Sequence, residues 1–123
     1  MKTNSKELHK AITTILKSHV TNVAYENIEK PVSYPYAVFS TRLLGTSSGQ
    51  QRYQLDIDVA SRDTSVTEEL ADLIQDDLDY VTYTNDKIFF HVYRSTRYPV
   101  VEEDKGIERR RMTFELYFYS RSE

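Results

Sequence analysis

The sequence predicts an α+β domain: a mostly antiparallel β-sheet with two helices packed on one face. Two segments alternate strictly between apolar and polar residues, as half-buried strands do. Two other segments repeat apolar residues at helical spacing. One helix precedes the strands and one falls among them, an order that suits helices gathered on one side of an antiparallel sheet. At 123 residues, with no internal repeat or boundary, 1–123 reads as a single domain with one modest core.

The first helix is expected from Ser5 to about His19. Leu8, Ile12, Ile15 and Leu16 form its apolar stripe, and Asn4 with Glu7 resembles a capping box. Val23–Tyr25 suits a short strand within a connection that runs to Pro35. Tyr36–Leu43 reads as a strand. Gly45, Thr46, Ser47, Ser48, Gly49 and Gln50 form the only Gly/Ser-rich stretch, expected to be a flexible loop and an assembly element. Arg52–Ala60 is the clearest strand, with Tyr53, Leu55, Ile57 and Val59 on its core face. It should form a hairpin with Tyr36–Leu43.

The second helix is expected from Val66 to Asp79, started by a Ser65/Glu68 capping box. Val66, Leu70, Leu73, Ile74 and Leu78 make its stripe. The chain then offers Tyr80–Thr84, a turn at Asn85–Asp86 and a strand from Lys87 to about Arg97. An acidic turn over Glu102–Gly106 precedes a last strand from about Ile107 to Tyr119. There Met112, Phe114, Leu116 and Phe118 share one face.

Composition narrows the function. With no Cys, disulfides and thiolate chemistry are excluded. No apolar run approaches membrane-spanning length, so no membrane role is expected and the chain should be made in the cytosol. His9, His19 and His91 lack metal-ligand spacing; His9 and His19 are roughly 15 Å apart along a helix. Asp56 and Asp58 share one strand face and could serve an enzyme or a binding module. The plainer reading pairs them with the arginines of Arg109-Arg110-Arg111 across the sheet. No Gly loop for phosphate and no nucleophile elbow occurs. The expectation is no enzyme, no cofactor and no metal.

Charge is unevenly spread. Residues 56–86 hold 1 basic and 10 acidic groups, a net −9, between flanks of +4 (7 basic, 3 acidic) and +2 (8 basic, 6 acidic). This disfavours a dedicated nucleic-acid binder and suits head-to-tail packing of copies. The candidate inter-subunit acids are Asp72, Asp76 and Asp79; the candidate bases are Arg94, Arg97 and Arg109.

Element order and local patterns then carry a resemblance. They are the Tyr34-Pro35-Tyr36-Ala37-Val38-Phe39 strand start, the alternating Tyr53–Val59 strand and the acidic Glu69–Ile74 helix. The closing Arg109–Phe118 strand completes them. In this order the chain resembles the tail terminator (tail-to-head joining, or tail completion) proteins of long-tailed bacteriophages; head-completion proteins share the size range. The resemblance implies an α+β subunit of a homo-hexameric ring that ends the tail tube and docks it to the head connector. Its partners would be itself, the tail tube protein and the head connector or head-completion protein, with DNA only passing through the channel. It would act in the virion, at the head-proximal end of the tail, after assembly in the host cytoplasm. The alternative is a small non-phage binding module or enzyme using the acidic surface near Asp56 and Asp58.

Overall fold

The computed structural model describes residues 5–27, 33–100 and 106–120. Their order is α1 (Ser5–Lys17), β1 (Asn22–Tyr25), β2 (Tyr36–Ser47), β3 (Gln50–Ser61), α2 (Thr64–Leu78), β4 (Thr82–Thr84), β5 (Ile88–Val100) and β6 (Glu108–Ser120). The strands form one sheet in the order β1-β2-β3-β6-β5-β4. Only β1 and β2 pair in parallel; the other described pairs are antiparallel. Asn4 and residues 102–105 of the expected acidic turn lie outside the described residues.

Alternation decides which face of the sheet is covered. Tyr53, Leu55, Ile57 and Val59 of β3 and Met112, Phe114, Leu116 and Phe118 of β6 are buried on one side. They join Leu8, Ile12 and Leu16 of α1 and Leu70, Ile74 and Leu78 of α2 in one contiguous cluster. Both helices therefore lie on the same face, as the pattern predicts. The opposite face, with Arg52, Gln54, Asp56 and Asp58 on β3, has no helix over it among the described residues.

Three local expectations are corrected. First, α2 begins at Thr64, and its N-cap is Asp63, whose carboxylate accepts from the Ser65 and Val66 amides. Asp63 caps the helix two residues before the expected Ser65 box, so the orphan amides it satisfies are those of Ser65 and Val66. Second, α2 is rotated from its expected stripe. Thr67 and Ala71 are buried, while Val66 and Leu73 are 38% and 41% exposed. Thr67 explains the rotation: its hydroxyl lies 2.6 Å from Ser61 Oγ and 3.1 Å from the Glu108 carbonyl, which pins the first turn to the sheet. Third, Gly45–Gln50 is not a loop. β2 and β3 continue through Gly45–Ser47 and Gln50, leaving a two-residue turn at Ser48-Gly49 with φ of 50° and 82°. Two positive φ values match the right-handed twist of a hairpin, so the strands need no longer connection. Gly45 sits at a register shift beside Leu43 instead.

β5 holds the second irregularity. Between Val92 and Arg94 the register shifts by one residue. Before it, Ile88, Phe90 and Val92 face the core. After it, Ser95 and Arg97 take that face, because an extra residue inverts the period-2 alternation.

Candidate assembly surfaces

The inversion on β5 places a layer of charge between the sheet and α2. Arg97 Nη2 lies 2.8 Å from Asp72 Oδ1 and 3.8 Å from Glu68 Oε2. Arg110, on the same face of β6, also donates to Glu68. Ser95 donates to Asp79 at 2.6 Å and receives from Gln75 at 2.9 Å. The acidic side of α2 is thus partly consumed within the chain, where it binds the helix to two strands.

Most of the proposed inter-subunit residues are accounted for here. Asp72 meets Arg97 in the same chain, Asp79 holds Ser95, and Arg109 Nε lies 3.9 Å from Asp58. The Arg94 side chain lies outside the described residues; its backbone is opposite Glu115. Asp76 is exposed and has no ion-pair partner among the described residues.

Asp56 and Asp58 are also engaged. Arg111 donates to both oxygens of Asp58, at 2.6 and 2.9 Å. Asp56 accepts from Thr113 at 2.9 Å and Gln54 at 3.2 Å. The pairing expected across strands is present, with Arg111 as the principal partner. These carboxylates border an open depression with Glu26, Val38, Ser40 and Arg111. Both carboxylates thus spend their oxygens on neighbouring side chains of the same sheet face. Among the described residues no group of three or more His, Asp and Glu is placed to hold a metal ion. His19 pairs with Asp77, and His91 Nδ1 lies 3.0 Å from Thr82 Oγ1.

Among the described residues two exposed surfaces stand out. One is the outer side of α2. Val66, Glu69, Leu73 and Asp76 follow one another at spacings of three or four residues, along a single stripe of α2, and Tyr80 lies two residues past its end. All five are exposed, Tyr80 at 67%. The other is the hairpin end of the uncovered sheet face. The Tyr93 ring lies tilted against Tyr117 with centroids 5.4 Å apart, and Phe89 against Tyr119 at 5.6 Å. Beside them Gly45, Thr46, Ser47, Gln50, Arg52 and Tyr117 line an open depression. The sequence carries a signal for the first surface, since Val66 and Leu73 stand out as apolar, but helical spacing alone puts them inside.

The same fold occurs in solved structures. A chain of the virion of a native gene transfer agent particle matches with a TM-score of 0.62, covering 91% of this chain and 94% of that one at 15% identity. A second solved chain matches with a TM-score of 0.61 at 11% identity, covering 96% of each chain. Likeness at these identities establishes a shared fold over nearly the full length. No family model and no curated protein matches the sequence. Among the described residues no helix is long and apolar enough to cross a membrane.

Proposed function

We propose that this chain is a structural, non-catalytic subunit of a phage-like particle. In this reading, copies form a ring that ends the tail tube and joins the tail to the head connector, leaving a channel through which DNA passes. The observation that carries the particle-level reading is its end-to-end fold likeness to a chain of a gene transfer agent virion. The finer role rests on the resemblance to tail terminators. Two features of the chain favour it. The polar groups best suited to chemistry, Asp56 and Asp58, are occupied by Arg111 and Thr113. The two exposed surfaces lie on opposite sides of a two-layer fold, which suits heterologous packing of copies.

The test is to inactivate the reading frame in the particle-producing genome and inspect lysates by electron microscopy. Heads and unjoined tail tubes of uncontrolled length are expected to accumulate, and supplying the chain should restore joined particles. Normal joined particles from the inactivated genome would refute the role.

A further inference from the structure

Tyr80 is held in a left-handed backbone conformation, with φ of 59°, directly after the C-cap of α2. That position favours glycine, because a Cβ there crowds the backbone. An exposed aromatic ring at a strained position points to a use for the side chain. Tyr80 lies just past the end of the helix whose exposed stripe contains Val66 and Leu73. Glu69 and Asp76 flank Leu73 at i−4 and i+3, and neither has an ion-pair partner among the described residues.

The hairpin end of the sheet has the complementary character. Arg42 and Arg52 are exposed there, and neither forms an ion pair among the described residues. Arg42 donates to Gln54 at 2.8 Å, which fixes it on the uncovered face. Beside Arg52, on the strand away from Tyr117, the sheet is hollowed at Gly45, where no Cβ fills the space.

We infer that the α2 stripe of one copy seats on the hairpin end of the uncovered sheet face of the next copy. Leu73 enters the hollow at Gly45, Tyr80 packs against the Tyr93–Tyr117 pair, and Glu69 and Asp76 meet Arg42 and Arg52. This rests on the ring reading above and names the contact within it. The two surfaces lie on opposite faces of the fold, so one copy cannot use both on the same neighbour. The contact is heterologous and propagates until a ring closes. It replaces the Asp72–Arg97 contact, which is made within the chain.

Because the chain has no Cys, disulfide trapping reports this contact without background. At Gly45 an added Cβ meets only the Arg52 guanidinium at 3.9 Å, so Gly45→Cys is accommodated. The full chain carrying Leu73→Cys and Gly45→Cys is oxidised at its highest soluble concentration and run on a non-reducing gel. A ladder of cross-linked oligomers is expected, whereas a mixture of the two single variants should stop at dimers. Adding Glu69→Lys and Asp76→Lys should abolish the ladder, and further adding Arg42→Glu and Arg52→Glu should restore it, with circular dichroism confirming folding throughout. Absence of a ladder, or dimers from either single variant alone at the same yield, overturns the contact. The gene-inactivation phenotype is read separately. A ladder without a joining defect would keep the contact and remove the tail role. A joining defect without a ladder would do the reverse.

Discussion

Arg111 on β6 grips Asp58 on β3 through two parallel bonds, Nε to Oδ1 at 2.6 Å and Nη2 to Oδ2 at 2.9 Å. The two residues are cross-strand partners in register. The hydrogen bond to Asp58 is the main reason the Arg111 guanidinium is held above its usual range, with burial acting against it. The pair joins the two central strands on the uncovered face. Replacing Arg111 with Ala should cost about 1–2 kcal/mol, since a half-buried carboxylate then loses its charge-assisted partner. Thermal denaturation checks this. Asp58→Asn combined with Arg111→Gln should lose less than the single change, because no carboxylate is then left unpaired.

Leu73 and Ile74 are neighbours with opposite fates. Ile74 is fully buried, and Leu73 is 41% exposed. Ile74→Ala should destabilise by about 2–5 kcal/mol, as large-to-small core changes do. Leu73→Ala should cost less than about 1 kcal/mol in the isolated chain. Denaturant titration separates them, and equal losses would mean that α2 is rotated from the position described.

That pair also shows how much was legible beforehand. β3 and β6 were readable because Tyr53–Val59 and Met112–Phe118 alternate without interruption, so the core face follows from the sequence alone. The rotation of α2 was not. Val66 and Leu73 fit an apolar stripe as well as Thr67 and Ala71 do, and only the tertiary latch from Thr67 to Ser61 and Glu108 chooses between them. The shift at Val92/Arg94 carries no Gly or Pro to announce it, so the contact of Arg97 with Asp72 of α2 cannot be read from the alternation of β5. Gly45–Gln50 looked like a loop because Gly and Ser serve both flexible segments and tight turns; the register of two long strands decided for the turn. The Asp58 pairing was legible, because strand-face acids opposite arginines have a short list of outcomes.

His9 gives a pH dependence. Its Nε2 lies 2.8 Å from Thr41 Oγ1, and its ring packs 4.2 Å from that of Tyr25. Burial lowers its pKa below the ordinary 6.5, partly opposed by Glu26. The unfolded chain therefore binds a proton before the folded one does, and stability falls as pH drops from about 6.5 toward the lower folded value. His9→Gln should flatten the melting temperature across that window. An unchanged slope between pH 7 and 5 would assign the effect elsewhere.

The hairpin turn offers a local check. Ser48 and Gly49 both have positive φ, and only Gly takes this without steric cost. Gly49→Val should destabilise by about 1–2 kcal/mol. Ser48→Asn should raise stability slightly, since Asn tolerates this conformation and Asn-Gly favours this turn. A rise in melting temperature for one and a fall for the other would support the turn over a flexible loop.

The proposed role would put the chain at the joint between head and tail. Gold-labelled antibody against the chain, applied to purified particles from the encoding genome and viewed by electron microscopy, tests it most directly. The account predicts label confined to one site per particle, at the head-proximal end of the tail. Label distributed along the tube, at the distal tip or over the head shell would contradict it, as would particles that carry none.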